Sequence, residues 1–365
     1  VEEYIVFAQG NSANPLQVLI FRQEEDGTCR LMEVIQSNGS AFEQVEYVQM
    51  DNAPGYELVV GRQLSDQVLR SVSVYSFSSG SAEQLMMVGY SKFITCDLND
   101  DGCSELMVIL PGESETGTGS AVLYRMQDGN IERSVEVNVS EDATHIRRIT
   151  EGRLLGGTPA VFVASAVNNS AIVTDVFAWR NDRFSNISYS RDSDTSVQTL
   201  RNYYVYAEDI DGDGVMELPS LITMKRVFPE QEGKQKFLIR WFAMDLEGRE
   251  MDKFFTFHNY LGGWYMQLAS SWAPRVSVEQ EGGKYTFYVW DEDYRQALDV
   301  FSIYALTGGS REEDATVDGR FAFYRAEGVV YAAKLEANAA EFGITENQLI
   351  NNFHLIQQDW KTGET

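Results

Sequence analysis

The chain has 365 residues, 44% hydrophobic and 12% aromatic, which excludes global disorder and a collagen-like chain. Lys and Arg total 29 against 55 Asp and Glu, a formal net charge of −26. Such a surface repels nucleic acid and anionic lipid at long range, and its natural counter-ions are metal cations. No apolar run approaches the roughly 18 residues of a membrane helix, so no transmembrane segment is expected in this chain. It starts at Val1 rather than Met, so a targeting segment or lipid anchor is expected upstream. The three cysteines, Cys29, Cys96 and Cys103, form no CxxC pair, which gives a zinc ribbon or thioredoxin-like site no support. Cys96 and Cys103 bracket an acidic loop and read as two small thiols rather than a disulfide.

In chain order, the opening EEYIVFA (2–8) reads as a strand, the end of a repeat whose acidic turn lies further upstream. Strand–turn–strand patterns rich in β-branched and aromatic residues follow at 18–34, 73–88, 121–137 and 174–189. A looser one lies at 237–255. Each alternates in and out before its turn, and the turns use Asp-Gly, Ser-Gly or Asn-Asp. Phe21, Tyr75, Tyr124, Phe177 and Phe242 hold equivalent positions, about 50 residues apart.

A second unit alternates with the hairpins: an acidic turn, then Glu-Leu, then an apolar strand. DLNDDGCSELMVIL (97–110) and DIDGDGVMELPSLI (209–222) are the best copies. QMDNAPGYELVVG (49–61) has lost most of its acids, and EGRLLGGTPAVFV (151–163) keeps only the strand. Several short strands in a repeat of this size predict propeller blades, because one blade cannot cover both its faces but stacked blades can. The expected fold is mainly β: a propeller of about five blades over 1–255, then a small α+β domain over 256–365. In that tail, strands are expected near 254–257, 264–268, 276–280, 285–290, 300–306, 321–325 and 329–335. A helix should follow, opened by a capping box of Thr345 and Gln348 with Leu349, Ile350 and Phe353 on its apolar face.

The loop-plus-strand copies resemble the FG-GAP or VCBS-type repeats of integrin-like β-propellers. The whole arrangement resembles secreted lipoproteins of Gram-positive gut bacteria. In that family a D-x-D-x-D-G-x-x-[DE] loop joins two strands of a blade and binds calcium. The resemblance implies that Asp209, Asp211 and Asp213 supply side chains, that Val215 supplies its carbonyl and that Glu217 closes the shell. In the other loop these roles fall to Asp97, Asn99, Asp101, Cys103 (carbonyl) and Glu105. Asn99 removes one formal charge, so this loop should bind calcium more weakly, and the acid-poor 49–57 copy should stay empty. The alternation of acids suits a hard cation taking six to eight oxygens. An EF-hand is excluded, since its twelfth position would be Val108 or Ser220 and strands flank both loops. Asx-turns that merely shape the blade are the plainer alternative.

His145, His258 and His354 make no HExxH or HxH pattern, and no GxSxG elbow is present. His258 with Tyr260, Trp264, Tyr265 and Trp272 reads as core rather than as a sugar platform, and His354 as a core residue of the last helix. The expected function is a non-enzymatic, extracellular or cell-surface binding module with structural calcium loops, facing a protein or glycan partner. A propeller-based carbohydrate-active enzyme, a lyase or hydrolase, is the alternative. A structural or regulatory part of a larger envelope complex is the third reading.

Overall fold

A computed structural model describes the chain except residues 1–2, 11–14, 65–69, 113–117, 142, 168–169, 231–234, 358 and 363–365. Its contacts divide the chain into two compact units, Val1–Asn169 with Val173–Val197, and Ser170–Ile172 with Gln198–Thr365.

The first unit is a succession of antiparallel meanders. Glu3–Gln9, Leu16–Gln23 and Cys29–Ser37 form a three-stranded sheet. Ala41–Val48, Glu57–Gln63, Arg70–Ser76 and Glu83–Gly89 form the second. Lys92–Cys96, Glu105–Pro111, Thr118–Gln127 and Asn130–Asn138 form the third. Ala143–Arg153, Pro159–Val167, Ala171–Arg180 and Arg183–Asn186 form the fourth.

Strand Glu105–Pro111 shows why these sheets stack. Leu106 and Val108 enter the core shared with the second sheet, whereas Met107 and Ile109 enter the core shared with the fourth. A strand covered on both faces reads as a continuous apolar run rather than an alternation. Gly61 permits the close approach of the second and third sheets: a Cβ there would meet the Phe93 ring at 2.6 Å and the Tyr90 hydroxyl at 2.7 Å. Hairpin turns follow the local chemistry: Asp128-Gly129 takes positive φ at both residues (51° and 76°), as a two-residue hairpin requires.

In the second unit Glu217–Thr223, Phe237–Met244, Glu250–Asn259 and Trp264–Leu268 form the fifth meander, extended by Phe353–Leu355. A further sheet runs in the order Val276–Glu281, Lys284–Trp290, Ala297–Thr307, Val329–Leu335, Phe321–Ala326. Tyr203–Tyr204 pairs with Lys361–Thr362. The chain is thus mainly β and built from β-propeller-type blades. The opening strand stands as expected, with Glu2 outside the described residues.

The equivalence of the hairpins is visible in their registers. Four of the five aligned aromatics, Phe21, Tyr75, Tyr124 and Phe242, sit at a β-bulge of identical placement. The partner strand skips one residue there: Met32, Leu85, Ser134 and Lys253 respectively. The last sheet has the same bulge at Tyr288, skipping Val300. The repeat therefore continues past the point where its sequence signature stops.

The boundary expected at 255 falls inside strand Glu250–Asn259, and the units divide near 197 instead. The reason is burial: Leu238 and Phe255 of the looser hairpin share one core with Phe287, Val300 and Phe301 of the tail. The tail strands form where the pattern places them. The capping box forms too: Thr345 Oγ1 accepts from the Gln348 N–H, and the Gln348 side chain accepts from the Thr345 N–H. The helix it opens, Glu346–Asn352, is short, so Leu349 is buried, Ile350 is 41% exposed and Phe353 packs from the following strand. His354 lies on that strand, half-buried and stacked on Tyr265, not on the helix. Trp264, Trp272 and His258 are buried, as a core reading requires. Burial holds the His258 imidazole neutral, its pKa pushed down to about 3.

Candidate functional site

The acidic loops have a common frame. In each, the closing glutamate opens the strand that follows the loop, and one of its carboxylate oxygens accepts the backbone N–H seven residues earlier. Glu57 takes the Met50 N–H (3.1 Å), Glu105 the Leu98 N–H (2.9 Å) and Glu217 the Ile210 N–H (3.2 Å). All three glutamates are buried, at 5%, 3% and 0% exposure. Burial raises all three pKa values, Glu217 to about 7, where repulsion from Asp211 adds to it.

The acids ahead of the glutamate shape the turn. Asp209 Oδ2 accepts the Gly214 N–H, and Asp97 Oδ2 accepts the Gly102 N–H, at 2.9 and 2.8 Å. Asp211 takes the Asp213 N–H, and Asp213 takes the Val215 N–H. Asn99 and Asp101 do the same for the Asp101 and Cys103 N–H groups. Gly102 and Gly214, both at φ 86°, permit the bend.

The loops differ in what faces the glutamate's second oxygen. Its neighbour on the next strand of the sheet is the residue after the aligned aromatic. For Glu57 this is Ser76, whose hydroxyl donates at 3.4 Å. For Glu105 it is Arg125, whose Nε lies 3.3 Å away. Asn99 Nδ2 donates to the same Glu105 oxygen and to Asp101, both at 2.9 Å. Glu3, at the equivalent place in the first sheet, pairs across the strands with Arg22 at 2.7 Å. For Glu217 the neighbour is Ala243, which has nothing to offer.

The consequence is an unsatisfied cluster in the 209–217 loop. Asp209 Oδ1 and Glu217 Oε1 are shielded from solvent and accept no hydrogen bond. One carboxylate oxygen from each of Asp209, Asp211 and Glu217 lies within 4.8 Å of the others. That is about the diameter of a calcium shell with ligands at about 2.4 Å. Among the described residues, this is the group of acids, cysteines and histidines whose ligand atoms converge in this way. Asp213 stands aside, hydrogen-bonded by Lys253, which lowers its pKa, and Val215 engages the loop through its N–H. The donor set fits a hard divalent cation. The 97–105 loop does not fit as well, because the Asn99 amide and Arg125 already occupy the oxygens of Asp101 and Glu105. At 151–163 the acids are gone, and Leu154 to Thr158 close as a tight turn through Gly157.

Lys253 was not legible as part of the site, since it lies some 40 residues from the loop. Cys29, Cys96 and Cys103 are all free. Asp175, fully buried, is saturated by the Ser140 N–H and by the side chains of Ser140, Asn186 and Ser196, so it is a structural carboxylate.

No family model matches the chain, and no curated protein matches it. Solved structures similar to it include the rhamnogalacturonan lyase YesW, 10% identical over 78% of this chain and 79% of that one, with a TM-score of 0.35. A rhamnogalacturonan lyase of Bacillus licheniformis is 8% identical over 78% and 79%, with a TM-score of 0.34. A mannose phosphorylase of Leishmania mexicana is 8% identical over 82% and 84%, with a TM-score of 0.29. Scores this low carry no argument about activity, and the fold rests on the sheets and registers above.

Proposed function

We propose that the chain is a non-enzymatic interaction module of the FG-GAP or VCBS type. It presents its blades to a protein or glycan partner at a cell surface and is braced by calcium in the 209–217 loop. The observation that carries this reading is the convergence of Asp209, Asp211 and Glu217 with two oxygens left without a hydrogen bond. Asp209, Asp211 and Glu217 would hold the ion, which supplies only charge neutralisation to the clustered carboxylates. The glutamate's other oxygen keeps the turn closed on the Ile210 N–H. Such a brace suits an extracellular setting, where weak calcium sites fill. Calorimetric calcium titration of the metal-stripped protein, with a thermal melt at each end point, tests it. Binding and a raised melting temperature are expected, both lost in Asp209→Ala/Asp211→Ala. Absence of heat and of any shift at millimolar calcium refutes the brace.

The alternative, a carbohydrate-active enzyme, has one cleft in its favour. A cavity of about 770 Å³ opens in the first unit between the 97–105 loop and the Gly156-Gly157 turn, with Trp179, Asp100 and Asp182 on its walls. Asp100 is tied to Arg153 at 2.9 Å, which lowers its pKa and suits it poorly to proton transfer. Turnover on a polysaccharide panel that is abolished by Asp182→Asn would establish this reading instead.

A further inference from the structure

The cluster at 209–217 is not bare of positive charge. Lys253 is the skipped residue of the bulge opposite Trp241 and Phe242. Bulges re-aim the side chains they carry, and this one directs an ammonium into the loop. Its Nζ donates to Asp213 Oδ2 and lies 3.5 Å from Asp211 Oδ2 and 3.8 Å from Glu217 Oε1. The side chain is only 15% exposed. At the equivalent bulges stand Met32, Leu85, Ser134 and Val300, none of them basic. The loop with a basic bulge residue is also the loop whose neighbour on the adjacent strand, Ala243, offers no partner.

We propose that Lys253 is a resident counter-ion of the 209–217 loop, and that a divalent cation enters by displacing its ammonium. This rests on the reading of the loop as a cation site. Two geometric facts carry it. The ammonium and the ion address the same two carboxylates, Asp211 and Glu217, so with both in place two positive charges would crowd one small cluster. The ammonium also leaves the site incomplete: one positive charge faces Asp209, Asp211, Asp213 and Glu217, and Asp209 Oδ1 has no hydrogen bond. The exchange needs only the side chain to move. The Lys253 carbonyl stays anchored by the Ser270 hydroxyl at 3.1 Å, and a four-carbon stem with a point charge swings out readily. Arg125 in the 97–105 loop is the contrasting case, a planar guanidinium engaged by Asp101 and Glu105 and lying over the Trp179 ring.

Calcium titration of the metal-stripped full chain tests this by calorimetry, with the melting temperature as a second readout. Lys253→Met should bind calcium at least about tenfold more tightly than the wild type. Without calcium it should melt lower, and its calcium-induced rise should be larger. Lys253→Gln, which keeps a polar tip, should behave in the same direction and stands in if Lys253→Met folds poorly. Affinities within twofold of a wild type that does bind would overturn the counter-ion and leave the calcium brace standing. Absence of binding in the wild type and both variants would overturn the two together. Calcium binding by Lys253→Met alone would overturn both the displacement and the calcium brace of the wild type, because the ammonium would then hold the site against the metal.

Discussion

The 97–105 and 209–217 loops are the same turn made twice, and they differ in what faces their carboxylates. Both close on a buried glutamate that accepts a backbone N–H seven residues back. In the first, Arg125 and the Asn99 amide supply the positive end covalently, from residues that cannot leave. In the second, the adjacent strand offers Ala243, and two carboxylate oxygens remain without a hydrogen bond. A carboxylate cluster becomes a cation site through what its neighbours fail to provide as much as through its own acids. Counting acids alone ranks the two loops as near equals, and the surrounding side chains separate them.

The largest expected effect breaks the comparison outright. Asp209→Ala/Asp211→Ala should abolish calcium heat, while Asp97→Ala/Asp101→Ala leaves the isotherm of the wild type unchanged. If the second pair abolishes binding, the assignment of the loops is reversed. The next effect is on pH. Glu217 binds its proton more tightly folded, at about 7, than unfolded, near 4.5. Metal-free protein should therefore lose stability as pH rises through that window, by up to about 3 kcal/mol. Glu217→Gln should remove that part of the slope in urea melts run from pH 4 to 8. Glu105 is raised too, so a residual slope should remain. An unaltered slope in Glu217→Gln would mean that Glu217 is not held protonated.

Third in size, Glu105→Ala strands the Leu98 N–H, the Asn99 amide and Arg125, and should cost about 2 kcal/mol. Glu217→Ala in calcium-free protein should cost less, because it also relieves a crowd of carboxylates. Equal losses in paired urea melts would erase the distinction between a satisfied loop and an unsatisfied one. The smallest effect is a control away from both loops. Thr345→Ala removes the capping box of Glu346–Asn352 and should cost about 1 kcal/mol, the same with and without calcium.

Much of this architecture is legible in the sequence because it is local. Hairpin turns, the capping box and the acidic loops each depend on residues a few positions apart. Four of the five aligned aromatics mark a bulge, because each of the four lies a short turn away from the residue skipped opposite it. The strands of the sheet that follows the fifth meander are legible, but its kinship with the repeats escapes notice because its first hairpin turns at Gly282-Gly283, with no acidic loop to announce it. The unit boundary escapes for the opposite reason: the looser hairpin carries the repeat signature yet buries Leu238 and Phe255 with the tail. Lys253 is the hardest to foresee. Nothing in its own neighbourhood marks it as part of a site, and only a one-residue slip in pairing turns it toward the acids.

The seven-residue lock also describes how such a rim can change over generations. One glutamate oxygen fixes the backbone of the turn, and the other is left to whatever the adjacent strand presents. The 49–57 copy keeps the lock after losing most of its acids, with a serine opposite. The position facing the free oxygen thus holds an arginine in one repeat, a serine in another and an alanine in a third, on the same locked turn. A propeller that carries such turns holds a set of interchangeable sockets on an unchanging frame.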